Sequence, residues 1–86
     1  MRFDVEPTSE HGAVIRLTGR LNMVAAPGFR ELLARVVDQE GRKQIVVDLA
    51  GTEFMDSTGL GALISGLKLA RLAGGDLRIA APGHRS

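Results

Sequence analysis

Phe3 and Val5 alternate with Asp4 and Glu6 at the start of the chain. A period of two predicts a short strand with one buried face. Pro7 is expected to end it, and Thr8-Ser9-Glu10-His11-Gly12 reads as a polar, glycine-terminated turn. Ala13-Val14-Ile15-Arg16-Leu17-Thr18 is apolar and β-branched and predicts a second strand, antiparallel to the first. Gly19 and Gly28 then bracket a connection through Asn22. The period changes after it. Phe29, Leu32, Leu33, Val36 and Val37 fall at i, i+3, i+4, i+7 and i+8, one face of a helix. Pro27 suits the first turn, where a missing N–H costs nothing, and Gly41 is the natural stop.

Ile45-Val46-Val47-Asp48-Leu49 is almost continuously apolar, the pattern of a strand buried on both faces in the middle of a sheet. Gly51 to Gly59 reads as a loop running into a second helix. Leu60, Leu63, Ile64 and Leu67, extended by Ala70, mark the face of that helix expected in the core, and Gly74-Gly75 ends it. Asp76 to Ala81 predicts a last strand with Leu77 and Ile79 on one face, and Pro82 to Ser86 a polar end. The order is β-β-α-β-α-β over residues 1–86, a single small α/β domain. Two strand–helix–strand crossovers make its four-stranded sheet mixed but mostly parallel, packed with two helices. The pattern leaves open whether the helices share a face.

Composition narrows the function classes. With 86 residues there is room for one domain with a thin stability margin. There is no cysteine, which removes disulfides, thiol catalysis and thiolate metal sites. Net charge is +1, with no dense basic run, no Trp or Tyr and three Phe, so neither a nucleic-acid surface nor a base-stacking platform is indicated. No apolar run approaches the ~20 residues of a membrane span, and Met1 to Pro7 lacks a signal core. The expectation is a soluble cytoplasmic protein.

The stretch with chemistry in it is Phe54-Met55-Asp56-Ser57-Thr58-Gly59-Leu60-Gly61, where a strand gives way to a helix. Partners meet open α/β sheets at the carboxyl ends of strands. Asp56, Ser57 or Thr58 could each cap the helix. Gly59 and Gly61 leave the first turn bare enough for another molecule to approach the backbone. A phosphoryl group on Ser57 would bring roughly −1.5 to −2 charges to the positive end of the helix dipole. It would turn a small hydroxyl into a bulky dianion, while the plainest reading of Asp-Ser-Thr remains a helix cap. Enzyme readings find little support. Ser57 has only His11 and His84 as bases, and there is no Gly-x-Ser-x-Gly elbow. Two histidines without arranged carboxylates do not make a metal site. Gly59-x-Gly61 lacks the third glycine of a dinucleotide fingerprint, position 64 being Ile, and no Walker lysine follows. No cofactor is expected.

The same eight residues resemble the signature of bacterial anti-sigma-factor antagonists, the STAS domain family. Ile15 to Leu21 is similar to that family's second strand, Ala25-Ala26-Pro27 to the start of its first helix, and Gly74 to Arg78 to its glycine turn and next strand. The resemblance implies partner switching. The unphosphorylated antagonist binds an anti-sigma factor that is also a serine kinase, and the sigma factor is released. Phosphorylation of Ser57 ends that binding, and a metal-dependent serine phosphatase restores it. Asn22, Met55, Asp56, Ser57, Thr58, Gly59 and Gly61 would form the partner surface. The resemblance departs at Asn22, where many members are acidic. It departs again at the C-terminus, where members continue into a further helix. A truncated chain would leave apolar surface uncovered and favour a homodimer. Within the same family, a non-switching scaffold of a stress-signalling assembly or an accessory subunit of lipid transport is the alternative. The modifiable hydroxyl favours the switch.

Overall fold

β1 (Arg2–Ser9) and β2 (Gly12–Leu21) form an antiparallel hairpin turning at Glu10 and His11. The structure, a computed structural model, describes residues 1–80. His84 and the expected polar end lie outside the described residues, as does Ala81. Pro7 does not end β1. It pairs with Ala13, and the register slips between Pro7 and Ser9. β1 is an edge strand, and an edge tolerates a residue that cannot donate to the ladder.

β3 (Gln44–Met55) runs parallel to β2, and β4 (Asp76–Ala80) parallel to β3, in the sheet order β1-β2-β3-β4. α1 (Ala26–Ala34) joins β2 to β3, and α2 (Ser57–Leu72) joins β3 to β4. Both crossovers step the same way across the sheet. Two right-handed connections in one direction lay their helices on one face, and α1 indeed packs on α2.

The core fills that one face. Ala13, Ile15 and Leu17 of β2, Ile45 and Val47 of β3 and Leu77 of β4 point into it, beneath Phe29, Leu32 and Leu33 of α1 and Leu63 of α2. Phe3 of β1 stacks on Phe29 with ring centroids 5.8 Å apart. α1 passes into a wider turn at Arg35–Gln39, where the Glu40 N–H donates to the Arg35 carbonyl five residues back. That turn keeps Val36 and Val37 both buried, and Gly41, at φ +68, reverses the chain as its position in the pattern predicts.

Among the described residues the other face of the sheet is open, which corrects the expectation for β3. Ile45 and Val47 are buried, but Val46 and Asp48 are only half-buried, so β3 is central without being covered on both sides. The open face carries charge across strands: Arg16 lies between Glu6 of β1 and Asp48 of β3. The hydrogen bond to Glu6 and the charges of Glu6, Asp48 and Asp4 raise the Arg16 pKa above its ordinary value, so it stays cationic throughout the folded range. Exposed pairs of this kind contribute little to stability; they keep the uncovered face polar.

The largest difference from the sequence pattern lies on α2. Its buried residues are Gly59, Ala62, Leu63, Gly66 and Ala70, whereas Leu60 and Ile64 are 49% and 46% exposed. Small residues win the inner face because α2 sits close to its neighbours. A Cβ at Gly66 would stand 2.5 Å from Leu33 Cδ1. Ile79 also differs from expectation. It is more than half exposed although Leu77, on the same face of β4, is buried; β4 is the second edge strand.

Candidate functional site

β2 and β3 continue past Asp48–Ala80, the last β4 pair among the described residues, as a ribbon pairing Gly19 with Thr52, Arg20 with Phe54 and Leu21 with Met55. The expected Gly51–Gly59 loop is therefore mostly strand, and Gly19 lies in β2 beside a register shift rather than opening a connection. Gly28 likewise falls inside α1. The chain needs a single residue, Asp56, to turn from β3 into α2. Ser57, Thr58 and the short β2–α1 loop through Asn22 thus share one end of the sheet, at the carboxyl ends of two parallel strands.

Asp56 is the cap among the three candidates. Its backbone is extended, at φ −98 and ψ −177, and its Oδ1 accepts the Gly59 N–H at 2.8 Å. Its Oδ2 accepts a second bond, from the Met23 N–H at 3.1 Å, reaching from the α2 mouth to the β2–α1 loop. The Asp56 N–H donates to the Leu21 carbonyl at 3.3 Å. Asn22 folds the loop locally: its Oδ1 accepts from the Val24 and Ala25 N–H groups, each at 3.1 Å, and its carbonyl accepts from Ala26 at 2.9 Å.

The remaining candidates separate by burial. Ser57 and Thr58 are exposed, on the first turn of α2. Met55 is half-buried and packs against the core, while Phe54 beside it is exposed. Gly59 is buried, and a Cβ there would lie 2.2 Å from the Leu21 carbonyl oxygen. Its bareness serves the chain's own packing, not the approach of a visitor, which corrects the reason the sequence suggested. Gly61 is different. A Cβ there meets only Arg30 Nη2, at an ordinary 3.6 Å.

Gly61→Ala should therefore stabilise the domain by about 0.4–1 kcal/mol, because alanine restricts the unfolded chain and suits the helix. Urea denaturation measures this. A midpoint unchanged or lowered would show that the space around Gly61 is not free.

Met23 and Val24, 66% and 83% exposed, are the site residues that sequence reasoning missed. Two apolar residues between a strand and a proline-led helix read as ordinary loop, and no periodicity marks them. A concavity of about 540 Å³ lies elsewhere, lined by Phe3, Gly28, Glu31, Leu32 and Arg35 among others; Asp56 and Ser57 take no part in it. Among the described residues no group of three or more His, Asp and Glu could hold a metal ion, and no helix is long and apolar enough to cross a membrane.

A mixed sheet with both helices on one face, and an exposed serine at the mouth of the second, defines a small α/β domain. The STAS domain family model matches residues 3–86, and the chain belongs to that family. It is 28% identical over 80 residues to the anti-sigma F factor antagonist of Paenibacillus polymyxa, covering 92% of this chain and 68% of that protein. It is 30% identical over 71 residues to the anti-sigma-B factor antagonist of Bacillus subtilis (strain 168), covering 83% of this chain and 63% of that protein. Among solved structures it resembles the anti-sigma factor antagonist SpoIIAA in its unphosphorylated form, with TM-score 0.79, 24% identity and coverage of 91% and 71%. The phosphorylated form of SpoIIAA matches with TM-score 0.75, 25% identity and coverage of 88% and 68%. The chain thus spans roughly two thirds of the length of these relatives.

Proposed function

We propose that the protein is an anti-sigma factor antagonist whose docking to an anti-sigma factor kinase is ended by phosphorylation of Ser57 and restored by a metal-dependent phosphatase. The observation that carries this reading is the exposure of Ser57 as the first residue of α2, directly after a cap that leaves its hydroxyl free of that duty. A kinase needs access to that oxygen, and a partner docked at the same place excludes the kinase product.

The chemistry belongs to the kinase. The Ser57 Oγ attacks the γ-phosphorus of ATP, loses its proton and displaces ADP; the protein supplies only a presented hydroxyl. The new dianion meets the N–H groups and the positive dipole end of α2, so the helix survives the modification. A partner packed against Ser57 instead meets added bulk and charge. Asp56 fixes the turn on which Ser57 stands, Gly59 seats the helix, and Asn22, Thr58 and Gly61 frame the surface. Met55 supports it from the core side. The role assigned to relatives named anti-sigma factor antagonists supports the partner, and the named phosphorylated form of SpoIIAA supports the modification.

Incubation with the cognate anti-sigma factor kinase and ATP should add one phosphate, located on Ser57 by mass spectrometry. The Ser57→Ala variant should take up none. Phosphate on Thr58, or incorporation that survives in Ser57→Ala, sinks the assignment.

A further inference from the structure

We infer that Asp56 is a positioning residue that fastens the Met23–Val24 tip to the mouth of α2, so that this apolar tip and Ser57 are presented to the partner as one surface. The inference rests on the docking reading above and adds to it a residue that acts through the loop rather than through the hydroxyl.

Three observations carry it. First, both carboxylate oxygens of Asp56 are used, and for different elements: Oδ1 for Gly59 in α2, Oδ2 for Met23 in the β2–α1 loop. Capping the helix requires only the first. Second, the N–H groups that follow Met23 are satisfied from within the loop, Val24 and Ala25 by Asn22 Oδ1 and Ala26 by the Asn22 carbonyl. The Met23 N–H instead donates out of the loop, to Asp56 Oδ2, so Asp56 sets where the loop stands relative to α2. Third, that loop displays two adjacent, mostly exposed apolar side chains, Met23 and Val24. One exposed apolar residue is unremarkable. Two at the end of a tethered loop, at the same end of the sheet as exposed Phe54 and Leu60, form the apolar part of a docking surface for a protein partner. Methionine adapts well to such contacts.

The chemistry of asparagine separates the two bonds. A carboxylate offers two acceptor oxygens; an amide offers one oxygen and a donor NH₂. In Asp56→Asn the shorter bond, to Gly59, keeps the oxygen, and the NH₂ faces the Met23 N–H and cannot accept from it. In Asp56→Ala both bonds go.

Amide hydrogen exchange followed by NMR on the intact protein reads each bond by itself. The Met23 amide should exchange at least about tenfold faster in Asp56→Asn than in wild type. The Gly59 amide should stay within about threefold in Asp56→Asn and accelerate only in Asp56→Ala. Binding of the unphosphorylated protein to its cognate anti-sigma factor should weaken at least about fivefold in Asp56→Asn. In that background, Val24→Ser should cost less than it does in wild type, because an untethered tip contributes less. A Met23 amide that exchanges equally in wild type and Asp56→Asn overturns the inference. So does equal binding by those two proteins. If wild type itself does not bind the anti-sigma factor, the docking reading falls and takes the inference with it, and the exchange data then show whether the tether alone is real.

Discussion

Gly59→Ala is expected to destabilise the domain by about 2–3 kcal/mol, the cost of forcing a methyl into a packed interior. The new Cβ would lie 2.2 Å from the Leu21 carbonyl oxygen and 2.9 Å from Leu21 Cγ. The side chain could yield, but the carbonyl cannot. It belongs to the ribbon that pairs β2 with β3, and it accepts the Asp56 N–H. The mouth of α2 must then lift from the sheet end, which strains the Asp56 cap as well. The gain in helix propensity from alanine, up to about 1 kcal/mol, opposes the loss and does not cancel it. For a domain of this size the melting temperature should fall by roughly 10–20 °C. Gly61→Ala, the same change two residues further along a helix turn with open space, is the internal control, and its sign should be opposite. Thermal melts of the two variants beside wild type decide the matter. A Gly59→Ala protein as stable as wild type would mean that α2 does not sit against Leu21 as described.

Gly59 also shows what the sequence could and could not say. Element order and type were legible because period-two and helical patterns are long enough to separate strands from helices, and because Gly41 and Gly74-Gly75 punctuate them. The position of Ser57 at the start of a helix was legible for the same reason. The buried face of α2 was not. A hydrophobicity pattern ranks Leu60 and Ile64 above Gly59, Gly66 and Ala62, yet the close seat of α2 on Leu33 and Leu21 selects for small size. Where two elements approach closely, volume decides before hydrophobicity does.

The length of β3 was hidden for a related reason. Gly51 and Glu53 are weak strand formers on either side of Thr52, so the stretch reads as loop, but pairing with β2 holds it extended as far as Met55. Pro7 misled in the opposite sense, since an edge strand has a free side where the missing donor costs little. The second bond of Asp56 was beyond any local reading. It joins residues thirty-three apart in sequence, and only the closure of the β2–β3 ribbon brings them together.

Ser57→Asp should weaken binding to the anti-sigma factor at least about tenfold, or roughly 1.4 kcal/mol, while Ser57→Ala stays within about threefold of wild type. Alanine removes one small exposed hydroxyl, and the cap at Asp56 is untouched, so neither the fold nor the docking surface changes much. Aspartate adds a full negative charge next to the Asp56 carboxylate, whose two oxygens are already committed to Gly59 and Met23. The dipole of α2 and its first N–H groups stabilise that charge in the free protein. Docking would bury those groups and strip the charge of water, so the penalty falls on the complex. A phosphoryl group carries nearly twice the charge and more bulk, so the effect of true phosphorylation should be larger still. Thr58→Asp separates position from charge. If any anion at the α2 mouth repels the partner by long-range electrostatics, Thr58→Asp should match Ser57→Asp and both penalties should shrink at high salt. If Ser57 lies in the contact itself, its penalty should persist in salt and exceed that of Thr58→Asp. Calorimetric titration of the three variants at two ionic strengths should return the second pattern. Undiminished binding by Ser57→Asp, with the phosphorylated wild type also binding normally, would remove the switch from this protein.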